Sequence, residues 1–411
     1  MKDGEKMHIK SKISLIDAII AIYIFAAVVT VEGSIVMKLM RVVLFSTALV
    51  LTIRNKKIIF DGYVKWLIIF VLLSLCSVNW AMNKSIAFDM SKTLFLNLLC
   101  MYSISYLISL KAERLLLILN CFVVFPLILE IQVIIKGGVF AFLHSRDAGG
   151  INGNTVGICA AFGACFALWF YFEKRRKMHL FLCLINIVIT VLSSSRKSIV
   201  CFVIPLLFMA FYQKNKDVLK KLLKFATVLI LVVIGIVLLF KVPILYNTVG
   251  NRIEPLLLSI LGTESTMDAS ATTRLNLINW GIEWFKQKML LGYGIDNYRI
   301  VLHYFHSDYP LAFYAHNNYV ELLVDLGIVG IITYYFIYVK CLYFSIKKRT
   351  ILSRIQMLFV GVVISLLISE YGLVSYYDKY TQIILLLSWI VIVKRQDSKS
   401  NNLESVVNRY V

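Results

Sequence analysis

The stretch LLLILNCFVVFPLILEIQVII, residues 115–135, decides the fold class because it is long and apolar enough to cross a bilayer as a helix. Apolar runs of roughly 16 to 25 residues recur along the chain. Hydrophobic residues make up 60% of the 411 residues, and the mean hydropathy is +0.80. These values exclude an ordinary soluble domain and predict an all-α polytopic membrane protein.

The apolar runs predict about twelve membrane-spanning helices. They lie near residues 13–31, 35–53, 60–80, 93–110, 115–135, 154–172, 178–193, 198–213, 225–242, 317–345, 353–371 and 380–394. We therefore expect transmembrane helices 1–9 in residues 1–242, one large polar loop in 243–315, helices 10–12 in 316–394, and a tail in 395–411.

The lysine and arginine residues set the expected orientation. The formal net charge is +20, but the positive residues form short clusters in every second connection rather than one patch for nucleic acid. The clusters lie at the amino terminus, at 54–57, 111–114, 174–177, 214–224 and 347–349, and at 394–395. We expect these segments and both termini to be cytoplasmic, the loop 243–315 to face outward, and the protein to lie in the cell membrane.

The sequence carries no pattern typical of a cofactor or metal site. The eight cysteines lie in or at the ends of apolar runs and form no Cys-x-x-Cys pair, so we interpret them as core residues. Outward carboxylates are scattered, and the chain has no P-loop, no Gly-x-Ser-x-Gly elbow and no Rossmann fingerprint. We therefore predict no cofactor and no metal.

Two arginines are candidates for binding an anion at the outer boundary. Arg196 follows Ser193-Ser194-Ser195 between two predicted spans, where a guanidinium fork is well matched to a phosphate. Arg274 begins an amphipathic stretch, and we expect it near a helix amino terminus, which also favours an anion. Together they could hold a diphosphate. The alternative is a snorkelling Arg196 at lipid head groups and an ordinary solvated Arg274.

His316 is the candidate acid or base. It lies in Ala315-His316-Asn317-Asn318-Tyr319, where the large loop returns to the membrane. It is bracketed by Tyr314, Asn317, Asn318 and Tyr319, so an amide or a tyrosine hydroxyl could hold the imidazole in one tautomer. The imidazole could then accept a proton from a sugar hydroxyl near neutral pH. Asn317 and Tyr319 are also candidate substrate-binding residues. The alternative is an interfacial histidine whose hydrogen bonds are satisfied locally.

Weaker candidates surround these residues. Glu130 lies inside the fifth predicted span and could line an outward cavity as a further acid or base. Residues Thr272 to Gln287 predict an interfacial helix with Leu275, Ile278, Ile282 and Phe285 on one stripe. Trp280, on the same helix, could shield the site or stack against sugars.

With these motifs in place, the chain resembles the bacterial O-antigen ligase and polysaccharide polymerase superfamily. The resemblance covers nearly the whole pattern of spans. Its motifs are Ser194-Ser195-Arg196, Arg274 with Trp280, Gly292-Tyr293-Gly294, and His316-Asn317-Asn318-Tyr319 followed by Gly327 and Gly330. Arg146 with Gly149, Gly150, Asn152 and Asn154 also resembles an outward loop common in the family, which adds Arg146 and Asn154 to the candidate substrate-binding residues.

The resemblance implies a metal-independent glycosyltransferase of the GT-C-like helical class, active on the outer face of the membrane. It implies that Arg196 and Arg274 hold the diphosphate of a polyprenyl-linked oligosaccharide, and that His316 activates the acceptor hydroxyl. The expected reaction is polymerisation of repeat units into an O-antigen, capsule or exopolysaccharide. Membrane lipid, a polysaccharide flippase and a chain-length regulator are expected partners.

Other functions remain open at this point. A ligase that transfers the finished glycan to a lipid or cell-envelope acceptor would use the same site. A transporter or flippase for polysaccharide or lipid-linked sugar would share the twelve-span topology, although related halves and broken helices at mid-membrane are not visible in the sequence. A purely structural scaffold would tolerate substitution of Arg196 and His316.

Overall fold

The computed structural model describes residues 14–30, 33–139, 141–144, 147–148, 150–211, 269–310, 313–347 and 352–394, together with 227, 230, 237, 241–243 and 246. The first half contains α1 (Leu15–Val29), α2 (Ile35–Asn55), α3 (Gly62–Ser77), α4 (Lys84–Leu110), α5 (Glu113–Gly137) and α6 (Ala141–His144). A two-residue antiparallel ladder follows, between β1 (Asp147–Ala148) and β2 (Ile151–Asn152).

The chain continues with α7 (Gly153–Lys174), α8 (Lys177–Leu192) and α9 (Arg196–Phe211). After the gap come α10 (Ala269–Gln287), α11 (Tyr298–Phe305), α12 (Asn318–Lys347), α13 (Arg354–Glu370) and α14 (Lys379–Trp389). A π-helical turn, Ile390–Lys394, extends α14. The described residues are therefore almost entirely helical, in agreement with the predicted fold class.

Five of these helices, α2, α4, α5, α7 and α12, are long and apolar enough to cross a membrane. The helices α1, α3, α8 and α14 are apolar but shorter. The α4 helix begins at Lys84, nine residues before the predicted span. Most of the predicted span 225–242 lies outside the described residues. The structure thus shows a helical membrane protein, while the number twelve stays a prediction.

Helix α7 forms the centre of the bundle, where it packs against α5, α8 and α9. Glycines allow the close approach: a Cβ on Gly163 would lie 2.7 Å from the Phe122 carbonyl oxygen and 2.8 Å from Asn186 Oδ1. The Asn186 amide donates to the Val123 carbonyl at 3.0 Å and thereby joins α8 to α5. The cysteines are free, and all except Cys76 are buried, in agreement with their interpretation as core residues.

Two hydrogen bonds and an ion pair between residues near the ends of different helices are consistent with the two predicted sides of the membrane. On the side predicted to face outward, Lys379 Nζ donates to the Thr30 carbonyl at 3.4 Å and Asn83 N donates to Asn297 Oδ1 at 2.6 Å. On the side predicted to be cytoplasmic, buried Arg114 pairs with Asp17 at 2.9 Å. Each of these contacts joins connections that the charge pattern places on the same side of the membrane.

A second, smaller core lies between α10, α11 and the start of α12. Its buried members are Leu277, Trp284, Tyr293, Tyr298, Val301, Leu302, Ala315, Val320 and Val324. Helix α10 meets α12 at Gly281, where a Cβ would lie 2.4 Å from Val320 Cγ1. The packed face of α10 therefore runs through Leu277, Gly281 and Trp284.

This packing differs from the simple amphipathic helix predicted for residues 272–287. Leu275 and Ile282, two members of the predicted stripe, are exposed. Glycine carries no hydropathy signal, so the sequence did not show which face of α10 packs on the protein. Leu275 and Ile282 remain free to lie along the membrane interface, whereas Ile278 packs against the smaller core.

Candidate functional site

His316 lies in a short segment whose backbone is fixed from both sides. Its φ angle is +53°, a left-handed conformation that histidine adopts more readily than most side chains. On one side, Ala315 N donates to Glu321 Oε2 at 2.7 Å. On the other, Asn317 Oδ1 accepts from Tyr319 N at 3.0 Å and Val320 N at 3.1 Å, as an N-cap of α12 does. The half-buried imidazole packs against the Tyr314 ring, with centroids 4.0 Å apart.

The residues after His316 anchor this segment to the next outer connection. Buried Asn318 accepts, through Oδ1, from Ser375 N at 3.0 Å and Tyr376 N at 3.2 Å. The Tyr319 hydroxyl donates to the Leu367 carbonyl at 2.7 Å. The side chains of Asn317 and Tyr319 are thus engaged in capping and anchoring. Their proposed action on the imidazole remains a prediction.

Arg196 is the first residue of α9 and follows a buried serine turn. Ser193, Ser194 and Ser195 are each at most 3% exposed, and Ser194 has a φ of +52°. Ser195 Oγ donates to Asn154 Oδ1 at 2.8 Å. Two candidates from separate loops, Arg196 and Asn154, therefore lie on neighbouring elements. The Ser193 hydroxyl donates to the Thr190 carbonyl at 2.7 Å.

The connection between α13 and α14 joins the Arg196 turn to the His316 segment. Lys197 Nζ donates to the Gly372 carbonyl, and three residues later the same connection is held by Asn318. Arg196 and His316 therefore lie at the same end of the bundle, linked through residues 372–376.

Gly292 and Gly327 allow a close backbone contact between the 289–294 loop and α12, near the His316 segment. Helix α12 is broken at Gly327, which has φ +65° and ψ −158°. A Cβ on Gly327 would lie 2.4 Å from the Leu290 carbonyl carbon, and one on Gly292 would lie 2.3 Å from the Val324 carbonyl oxygen. Tyr293 N donates to the Val324 carbonyl at 2.9 Å, so the loop supplies the hydrogen bonds missing at the break.

A charged cluster that the sequence did not predict lies beside this break. Asp325 accepts from Asp296 N and from Tyr298 N, both at 2.7 Å, and so caps the start of α11. Asp296 pairs with half-buried Arg299. Burial raises the pKa of Asp296 to about 6, and the Arg299 guanidinium opposes that rise. The spacing Asp296-x-x-Arg299 was the only signal in the sequence.

The structure corrects the expected setting of Arg274 and Trp280. Helix α10 begins at Ala269, so Arg274 lies in its second turn rather than at its amino terminus. The favourable effect of a helix end falls off within the first turn, and that part of the prediction is wrong. Trp280 stacks on His306 at a centroid distance of 3.8 Å, which covers one face of the indole that was predicted to shield the site or stack on sugars.

The remaining candidates are Arg146 and Glu130. Arg146 lies outside the described residues. Glu130 is 4% exposed, and its Oε2 has no hydrogen-bond partner among the described residues. A cavity of about 260 Å³ opens between the ends of α1, α7 and α14, but it is lined from α5 by Leu129, the residue before Glu130. Glu130 is not among the residues that line this cavity, and its role stays a prediction.

That cavity lies beside the amino terminus of α7. Asn152 and Thr155 line it, together with Thr30, Lys379 and Tyr380, whereas Asn154 between them contacts Ser195. Within the part of the chain that the structure describes, no group of three or more His, Cys, Asp or Glu side chains could hold a metal ion.

Comparison with known proteins agrees with the resemblance found in the sequence. Residues 180–335 match the family described as O-antigen ligase. The matched segment contains Arg196, Arg274 and His316, while Glu130 and Asn154 lie before it. No curated protein matches the chain. The family match supports the resemblance: over residues 180–335 this chain is similar to the family described as O-antigen ligase.

Proposed function

We propose that this protein is a glycosyltransferase that polymerises polyprenyl diphosphate-linked oligosaccharide repeat units into a surface polysaccharide on the outer face of the cell membrane. The observation that carries the proposal is that the matched segment contains both Arg196 and His316. The 372–376 connection links these two residues at one end of the bundle. The proposed architecture is the GT-C-like bundle of about twelve helices, with both termini cytoplasmic and the 243–315 loop outside.

In the proposed reaction, His316 takes the proton of an acceptor sugar hydroxyl. The oxygen attacks the anomeric carbon of the donor, and the bond from that carbon to the diphosphate oxygen breaks. The lipid diphosphate leaves with the bonding electron pair, and the anomeric centre inverts. His316 is then protonated and returns its proton to water.

The lipid diphosphate is already a good leaving group, so its departure needs charge stabilisation more than an added acid. Arg196 can donate two parallel hydrogen bonds to phosphate oxygens. Arg274 supplies a second positive charge by side chain alone, since the helix end does not contribute. Preorganised donors of this kind stabilise charge as it develops, and the proposed mechanism requires no metal ion.

The fixed backbone of residues 315–318 supports this role for His316. A catalytic base must be held within about 0.5 Å of its working position. The Glu321 contact, the Asn317 cap and the Asn318 anchor provide that restraint. Arg146, Asn154 and Glu130 are proposed as secondary contacts to the glycan or the lipid, with a flippase and a chain-length regulator as partners of the process.

A ligase that transfers the finished glycan to another acceptor is the second candidate function. The matched family is described as O-antigen ligase, and the same donor site would serve both reactions. The acceptor distinguishes them, so the two functions predict different products in the same variant cells.

The experiment that tests the proposal measures glycan chain length in cells carrying His316→Ala or Arg196→Ala. Matched controls are His303→Ala, an exposed histidine on α11, and Arg54→Ala, an exposed arginine at the opposite end of the bundle. Membrane levels of each variant are measured through an epitope tag. Loss of a catalytic base or a charge-stabilising group is expected to lower turnover by about 100-fold or more.

The products decide between the functions. Single repeat units on the lipid carrier, in variants present at normal levels, would support the polymerase. Long chains that stay on the carrier would indicate the ligase. Lipid-linked units trapped on the cytoplasmic face would indicate a flippase, and normal chains in both variants would refute the assignment of His316 and Arg196.

A further inference from the structure

We propose that Glu370 is a positioning residue that holds the His316 segment in register with the Arg196 turn. The inference rests on the proposed function and extends it to a residue outside the matched segment 180–335. Glu370 is the last residue of α13 and is 1% exposed. From the sequence, Glu370 is recognised only as the first residue of a connection that is predicted to face outward.

The Glu370 carboxylate accepts five hydrogen bonds, and its two oxygens have different neighbours. Oε2 accepts from the Tyr335 hydroxyl at 2.7 Å and from Asn318 Nδ2 at 3.3 Å. Oε1 accepts from the hydroxyls of Tyr338 at 2.7 Å, Ser375 at 2.9 Å and Tyr334 at 3.3 Å. A buried carboxylate costs much free energy unless its lone pairs are satisfied, so a network this complete is a rigid one.

Asn318 connects this network to the candidate site. Its Nδ2 group donates both to Glu370 and to the Tyr335 hydroxyl, the latter at 2.9 Å, which closes a triangle of three side chains. Its Oδ1 atom holds Ser375 N and Tyr376 N. The amide is therefore fixed in one orientation, two residues after His316.

The other end of the network reaches the Arg196 turn. Two residues after Glu370, the Gly372 carbonyl accepts a hydrogen bond from Lys197, the residue after Arg196. The chain from 370 to 376 is thus held by α12 through Asn318 and by α9 through Lys197. Loss of the Glu370 acceptor would let the two candidate groups shift relative to each other, and a shift of about 1 Å can cost about 100-fold in rate.

The test uses the asymmetry of the two carboxylate oxygens. Tyr335→Phe removes a hydroxyl that contacts Asn318, whereas Tyr338→Phe removes one from the oxygen that Asn318 does not contact. The two substitutions delete the same atom from the same network. Glu370→Gln, which keeps the shape and removes one acceptor, is measured beside them.

The substrate for the assay is the lipid-linked oligosaccharide extracted from producing cells that lack this protein. We expect Tyr335→Phe and Glu370→Gln to lower kcat by about 10-fold to 100-fold with KM changed less than about twofold, because the groups act through positioning. Tyr338→Phe is expected to stay within about twofold of the parent kcat at equal thermal stability.

Hydrogen exchange of the purified full chain gives a readout that does not depend on the reaction. Glu370→Gln is expected to speed exchange in peptides covering 314–318 and 371–377, and to leave peptides from α7 unchanged. Equal kcat losses in Tyr335→Phe and Tyr338→Phe, or unchanged exchange in those two segments, would overturn the inference. An active His316→Ala variant would instead refute the proposed function, while the exchange result would still test the anchoring.

Discussion

At the scale of single residues, Gly327 shows how one position shapes the site. Its backbone combines φ +65° with ψ −158°, a region that is essentially restricted to glycine. The Leu290 and Met289 carbonyl groups lie where a Cβ would be placed. The break it allows in α12 lets the 289–294 loop dock beneath the His316 segment.

We predict that Gly327→Ala destabilises the protein more than Gly138→Ala. Gly138 has a similar backbone, with φ +83° and ψ +171°, but a Cβ there would meet no atom within 4 Å. Both substitutions incur about 1–3 kcal/mol of backbone strain. Only Gly327→Ala adds a steric cost of about 1–3 kcal/mol.

The measurement is the thermal unfolding midpoint of the two variants in the same detergent. Equal midpoints would show that the Leu290 backbone can move away at little cost. The close packing described for α12 and the loop would then be wrong.

At the scale of elements, the segment 289–299 contacts both α3 and α12. Ile295 N donates to Ser77 Oγ at 3.1 Å, which joins the segment to the end of α3. Asp325 fixes its other end on α12. The charged groups facing Asp296 are Arg299 on α11 and the carboxyl groups of Glu321 and Asp325 on α12.

We predict that lowering the pH from about 7 to about 5 stabilises the wild-type protein relative to Asp296→Asn. The pKa of Asp296 is raised from 3.8 to about 6 by burial, so the folded state binds this proton more tightly than the unfolded state. Its contribution to stability is therefore full below about pH 4 and is lost as the pH rises through about 6. An asparagine at this position cannot titrate and therefore makes no pH-dependent contribution to stability.

Thermal unfolding of both proteins at several pH values checks the prediction. All other residues are the same in both proteins, so their contributions cancel in the comparison. Parallel pH profiles would show that Asp296 does not titrate in this range.

At the scale of the whole molecule, the two groups of connections predict opposite accessibility. In a Cys76→Ser background, we expect a cysteine replacing exposed Tyr371 to react with a membrane-impermeant maleimide on intact spheroplasts or protoplasts. A cysteine replacing exposed Lys57 is expected to react only after permeabilisation. Labelling of Lys57→Cys in intact cells would reverse the proposed orientation and place the site in the cytoplasm.

The helical membrane class, the approximate positions of the described helices and the resemblance to the O-antigen ligase family could be predicted from the sequence. These follow from apolar run length, and from motifs such as His316-Asn317-Asn318-Tyr319, because bilayer thickness fixes span length and each motif is local in the chain. The family match confirms what the motifs indicated.

How these residues are held follows from the folded structure alone. The folded structure places Arg274 in the second turn of its helix, packs α10 against α12 at Gly281, and pairs Arg299 with Asp296. It also brought Glu370 to Asn318, 52 residues away in the chain. Hydropathy and charge describe each segment alone, whereas a buried carboxylate is satisfied only by groups that the folded chain brings from other helices.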